Sequence, residues 1–143
     1  MGNGLETRYM DVKKVLVVDD EDRMRKLVCI TLRNHGYEVS EAGDAEEALR
    51  MMGRSLPDAI VLDGMLPNKT GFELCADLKE DPGTREIPIL LISGITRGVP
   101  GSNETWKKKF LTDDYISKPF ILKDLVDRVE RLIGGAPKRM CSS

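Results

Sequence analysis

The sequence predicts an α/β domain of (βα)5 form: a doubly wound, five-stranded parallel sheet with helices on both faces. Short apolar runs at residues 15–18, 59–62 and 87–92 are unbroken and end in acids or turn residues. Such runs read as strands buried on both faces. Segments with helical apolar spacing separate them, and strands alternating with helices require a parallel sheet with helical crossovers. Neither an internal repeat nor an interdomain linker interrupts the 143 residues, a length that supports one core.

Taken in order, residues 1–12 are polar and read as a flexible arm. Lys13-Lys14 lead into the first strand, which runs into Asp19-Asp20-Glu21-Asp22. Asp22 is a candidate N-cap, since acids are favoured at helix starts. Met24, Leu27, Val28, Thr31 and Leu32 form the apolar stripe of the first helix, which Gly36 ends. Cys29 and Ile30 fall off that stripe and are expected to be partly exposed. His35 reads as a helix C-terminal residue rather than a chemical group. Residues 37–42 alternate as a strand, and Gly43-Asp44 open a helix carrying Ala45, Ala48, Leu49 and Met52. Pro57-Asp58 precede the central strand, which ends at Asp63.

A third helix spans residues 71–80, with Phe72, Leu74, Cys75 and Leu78 as its apolar set. Asp81-Pro82-Gly83 turn the chain into the fourth strand, closed by Ser93-Gly94. Residues 96–105 are rich in Gly, Pro, Ser and Asn and read mostly as loop, with a short helix at 106–111. Tyr115-Ile116-Ser117 form the last strand. After Lys118-Pro119-Phe120 comes an amphipathic helix with Ile121, Leu122, Leu125, Val126, Val129, Leu132 and Ile133 on its apolar face. Gly134-Gly135 are expected to stop it, leaving 135–143 as a flexible tail.

Composition narrows the function. The net charge of −2 opposes bulk-charge binding of nucleic acid. No stretch approaches the ~20 apolar residues of a membrane span, and the first residues lack the apolar segment of a signal peptide. Cys29, Cys75 and Cys141 form neither a metal pattern nor a disulfide set, so a reducing cytoplasm is the expected setting.

Chemistry-bearing residues converge at one edge of the predicted sheet, where open α/β sheets place their ligands. Asp19-Asp20 follow the first strand, Asp63 ends the third, Ser93 the fourth, and Lys118 follows the fifth. Singly, each has an ordinary explanation as a helix-start acid, turn cap, turn hydroxyl or solvated lysine. Together they describe one site. Clustered carboxylates repel unless a cation compensates them, and hard oxygen ligands suit Mg2+, or Mn2+ in its place. An oxygen of Asp63 is then left to attack phosphorus, while Lys118 and Ser93 steady the transferring group.

These motifs resemble a known family. Asp19-Asp20, Val61-Leu62-Asp63-Gly64-Met65-Leu66-Pro67 with Gly71, Ile92-Ser93-Gly94, and Tyr115-Ile116-Ser117-Lys118-Pro119-Phe120 stand in the order and spacing of response-regulator receiver domains of two-component signalling. The resemblance covers Lys14 to about Ile133 and sets the domain at 13–134. It implies a flavodoxin-like sheet of order 2-1-3-4-5. It makes Asp63 the phosphoacceptor, taking phosphoryl from a phosphohistidine on a sensor histidine kinase or histidine phosphotransfer protein, with slow self-hydrolysis and no turnover of small substrates. Asp20, Asp63 and the Met65 backbone carbonyl would ligate Mg2+, with Asp19 acting mostly through water. Ser93 and Tyr115 would be the switch pair, and Lys118 would meet the phosphate after a cis Pro119 bond. Met65, Gly94 and Ile95 would tune hydrolysis, and the apolar Met65 and Ile95 imply a long-lived phosphoryl group.

The resemblance also implies that phosphorylation repacks the face of the fourth helix, fifth strand and fifth helix. That face would signal to a partner protein or an output domain, or pair two phosphorylated copies, without direct nucleic-acid binding. The kinase is expected to dock near the first helix. The 96–112 segment departs from the family by its length and polarity, and Lys107 to Lys109 read as a solvated face. Three other functions fit less well. A phosphohydrolase needs an acid/base near Asp63, where Gly64 and Met65 stand. A flavin module needs a phosphate loop where Asp19-Asp20-Glu21-Asp22 would repel the phosphate. A receiver fold that is never phosphorylated would not require the complete residue set. The chain is either a stand-alone receiver or part of a longer regulator.

Overall fold

The computed structural model describes residues 12–94 and 112–142, with side chains described through 134. Strand β1 (Lys14–Val18) leads to helix α1 (Asp22–Asn34), then β2 (Glu38–Ala42) and α2 (Ala45–Arg54). There follow β3 (Ala59–Asp63), α3 (Gly71–Glu80), β4 (Ile89–Ser93), β5 (Asp114–Ser117) and α4 (Leu122–Ser142). The five strands form one parallel sheet in the order β2-β1-β3-β4-β5, as the resemblance implied. The short helix expected at 106–111, the residue Ile95 and nearly all of the arm lie outside the described residues.

Alternation along the strands divides the core into two layers. Leu16, Val18, Ile60, Leu62, Leu91 and Tyr115 face α2 and α3, where Ala48, Met52, Leu74 and Leu78 meet them. Val15, Val17, Val61, Leu90 and Ile116 face α1 and α4, meeting Val28, Leu32, Leu125 and Val129. Every residue of β3 and of β4 is buried, which is why those segments are continuous apolar runs. Burying each Leu, Val or Ile contributes about 1.5–3 kcal/mol. A polar group is tolerated in such a strand only at its end, where Asp63 and Ser93 stand.

Several local expectations are corrected. Glu21, not Asp22, occupies the N-cap of α1, without a side-chain capping bond, and Asp22 is the first helical residue. The buried stripe of α1 is Val28, Cys29 and Leu32. Leu27 is therefore 46% exposed; of the two residues expected to be partly exposed, Ile30 is so, at 54%, while Cys29 is fully buried. At 100° per residue, Leu27 rotates off the face that Val28 and Leu32 define. Leu49 and Ile121 are also exposed, because Ile121 precedes the helix and Leu49 lies beside, not on, the face of Ala45, Ala48 and Met52. Finally, α4 continues through Ser142. A glycine stops a helix when it turns left-handed at the cap; Gly36 does so after α1 with φ 94°, whereas residues 134 and 135 keep helical backbone.

Candidate functional site

The topology brings the carboxyl ends of β1, β3, β4 and β5 together, and with them the residues singled out above. Asp63 is the last residue of β3 and is buried. Its Oδ1 accepts from the Met65 N–H at 3.0 Å, and its Oδ2 accepts from Lys118 Nζ at 3.3 Å. Lys118 is held by its own backbone, whose N–H donates to the Ser93 carbonyl at 3.0 Å. The Lys118-Pro119 bond is cis, as the resemblance implied. A Cβ on Gly94 would stand 3.4 Å from the Lys118 Cβ, so a side chain there would lie along the lysine stem.

Asp19, Asp20 and Asp63 offer carboxylate oxygens that all lie within 4.8 Å of one another. Asp19 and Asp63 are buried and Asp20 is exposed, so the cluster opens to solvent on one side. Burial pushes the Asp19 carboxyl up to about 7; the charge of Asp63 and a hydrogen bond with it add to the rise, against the opposing Glu21 N–H and Lys118. The crowded acids thus favour either a proton or a compensating cation among them. All-oxygen donors, one open side and excess negative charge fit a small hard divalent cation such as Mg2+. When bound, such an ion would supply positive charge against the oxygens of an anionic group.

Ser93 and Tyr115 are both fully buried on adjacent strands. The register pairs Ser93 with Ser117 and Leu91 with Tyr115. Ser93 and Tyr115 therefore sit two residues apart on the same face of the sheet. Met65 lies at the mouth with its side chain half exposed.

The loop after β3 is shaped by features that sequence reasoning passed over. The Gly64 N–H donates to the Ile92 carbonyl at 2.7 Å, and the Gly71 N–H to the Gly64 carbonyl at 3.1 Å. Asn68 takes a left-handed φ of 65°. Thr70 and Glu73 form a capping box at the start of α3: Thr70 Oγ1 accepts from the Glu73 N–H at 3.1 Å, and Glu73 Oε1 from the Thr70 N–H at 2.9 Å. The Thr-x-x-Glu signature was present in the sequence to be read.

Comparison with known proteins agrees with this geometry. Residues 15–130 match the family model for the response regulator receiver domain. The phosphate regulon transcriptional regulatory protein PhoB of Escherichia coli K12 is 35% identical over 123 residues, covering 85% of this chain and 52% of that protein. The chain thus spans about half the length of the curated relatives it matches. Among solved structures, the chemotaxis response regulator CheY4 of Vibrio cholerae superimposes with a TM-score of 0.75 at 32% identity, over 85% of this chain and 98% of that one. A Francisella response regulator receiver domain does so with a TM-score of 0.73 at 30% identity, over 90% and 98%. The chain belongs to the response regulator receiver domain family, and its fold is the receiver fold of two-component signalling.

Proposed function

We propose that this domain accepts a phosphoryl group on Asp63 from a phosphohistidine of a sensor histidine kinase or a histidine phosphotransfer protein. The observation that carries the proposal is the setting of Asp63: two further carboxylates with oxygens within 4.8 Å and the Lys118 ammonium 3.3 Å away. A carboxylate oxygen of Asp63 attacks phosphorus, the P–N bond breaks, and the donor imidazole leaves with the electron pair and is reprotonated from water. Asp20, Asp63 and the Met65 carbonyl would hold Mg2+ or Mn2+, with Asp19 acting mostly through water, and the ion would supply positive charge against the phosphoryl oxygens. Lys118 and Ser93 take the phosphoryl oxygens.

Signalling then runs through the sheet edge. Ser93 moves toward the phosphoryl group, and Tyr115 follows on the same face. Arg128 of α4 donates to the Tyr115 carbonyl at 3.1 Å and to Asp114 Oδ1 at 2.9 Å, so a change at Tyr115 reaches the final helix. The surface of β5, α4 and the segment before β5 passes the signal to a protein partner, an output domain or a second phosphorylated copy. This domain itself makes no direct contact with nucleic acid. The phosphodonor docks over α1, where Leu27 and Ile30 expose apolar surface. Met65, Gly94 and Ile95 restrict hydrolytic water and give a long-lived phosphoryl group. A cytoplasmic setting belongs to the same proposal: Cys29 and Cys75 are buried in core layers on opposite faces of the sheet, where they cannot bridge. No helix of the described residues is long and apolar enough to cross a membrane.

Incubation with acetyl phosphate tests this. Intact mass should show one added phosphoryl group in Mg2+, and none in chelator or in Asp63→Asn. Equal labelling of the Asp63→Asn variant would refute the assignment.

A further inference from the structure

Arg25 lies in the first turn of α1, and its side chain is only 14% exposed. Its guanidinium ties three segments together. Nη1 donates to the Asp19 carbonyl at 2.9 Å, Nε to Glu41 Oε1 at 2.9 Å, and Nη2 to Asp22 Oδ1 at 2.7 Å. The carbonyl that receives Nη1 belongs to the peptide unit joining Asp19 to Asp20. The orientation of that plane sets where the Asp20 side chain begins. On its other side, the Asp19 N–H donates to the Ala42 carbonyl at 3.1 Å, and Asp19 Oδ1 accepts from the Glu21 N–H at 2.9 Å. The acid loop is thus fixed at successive points, and the exposed Asp20 inherits its placement from a plane that Arg25 holds.

Charge does not explain an arginine here. A guanidinium beside a cation site opposes the cation by Coulomb repulsion. The charge of Arg25 is matched by Glu41 and Asp22, which leaves its planar fork of donors as the useful property. A lysine cannot reproduce that fork.

We propose that Arg25 is a positioning residue for the divalent-cation site, orienting the Asp19-Asp20 peptide so that both carboxylates are set before the metal arrives. This role rests on the acid cluster being the Mg2+ site. Partners of metal ligands that fix their orientation are worth about 10- to 100-fold in metal affinity.

Titration calorimetry of the full chain with Mg2+ tests the role, beside melting of the same proteins in chelator. Arg25→Ala should weaken Mg2+ binding by about tenfold or more. Arg25→Lys, which keeps the charge but loses the fork, should weaken it severalfold and decides the matter if Arg25→Ala does not fold. Arg33→Ala is the control. Arg33 also lies 3.7 Å from Glu41 and donates to the Val39 carbonyl, so its removal loosens the same helix-to-strand contact without touching the acid loop. Its Mg2+ affinity should stay within about twofold of wild type, well short of the positioning effect. Tighter or unchanged Mg2+ binding by Arg25→Ala overturns the proposal, since removing a positive charge should by itself favour the cation. Unchanged affinity in Arg25→Lys overturns it too, as does a loss in Arg33→Ala equal to that in Arg25→Ala. Wild-type protein that takes up no Mg2+ refutes the metal reading itself, and the role of Arg25 with it.

Discussion

Gly71 lies so close to Asp63 that a Cβ on it would stand 2.0 Å from the Asp63 carbonyl oxygen and 2.8 Å from the Gly64 Cα. The backbone entering α3 thus rests directly on the residue proposed to receive the phosphoryl group. Gly71→Ala must push this loop away from β3. Forced contacts of this kind cost about 1–3 kcal/mol, and the displacement falls on the Met65 N–H bond to Asp63. We expect a lower Tm together with weaker Mg2+ binding. A fully stable Gly71→Ala protein with wild-type Mg2+ affinity would show that the loop yields without consequence.

The acid cluster links pH, metal and stability. Asp19 is raised from 3.8 to about 7 in the folded protein. The folded state therefore binds more protons than the unfolded state between those values, and stability falls as pH rises. The contribution is complete below the unfolded value and lost as pH passes through about 7. In the proposed metal site, Mg2+ would replace the proton as the compensating charge. Melting in chelator should show Tm declining between about pH 4 and pH 7, with Mg2+ restoring most of the loss at the upper end. A profile in chelator that rises over that range would contradict the raised Asp19.

Lys118 and the cation should separate by sign. Lys118→Ala removes a positive charge 3.3 Å from Asp63 Oδ2, so Mg2+ affinity should hold or tighten. Uptake of phosphoryl from acetyl phosphate should fall by about a hundredfold, because a preorganised donor to the transferring group is lost. Calorimetry and a time course of intact mass measure both. Parallel loss of metal binding and phosphorylation would mean that Lys118 only supports the local fold.

Docking is separable from chemistry. Leu27→Glu and Ile30→Glu change side chains that are half exposed on α1 and are not members of the acid cluster. Transfer from a phosphohistidine partner that labels the wild-type chain should slow by about tenfold or more, the cost of spoiling an apolar contact. Labelling by acetyl phosphate should not change. Equal slowing with both donors would move the defect into the site itself.

Much of the site was legible because strand physics is strict. A strand buried on both faces admits a charge only at its end, so Asp63 at the close of β3 marked both a boundary and a candidate site. Asp19, Ser93 and Lys118 followed from the same rule. What escaped depends on distances that spacing cannot express. The pairing of Arg25 with Glu41 requires α1 to lie across β2, and the need for Gly71 is visible only once α3 returns to Asp63. The misread apolar residues have two causes: Leu27 and Leu49 count as hydrophobic in any pattern, yet α1 and α2 each present a narrow buried stripe, and Ile121 precedes the helix onto whose face it was read. The end of α4 was misplaced because glycine weakens a helix by only about 1 kcal/mol unless it turns left-handed.

The most direct measurement locates the phosphoryl group. After treatment with acetyl phosphate and Mg2+, borohydride reduces an acyl phosphate to the alcohol, and peptide mass spectrometry reads the modified position. Reduction should mark Asp63 alone, and only in phosphorylated protein. A mark on Asp19 or Asp20, or a phosphoryl group that resists borohydride because it sits on Ser93, would contradict the assignment of Asp63 as acceptor.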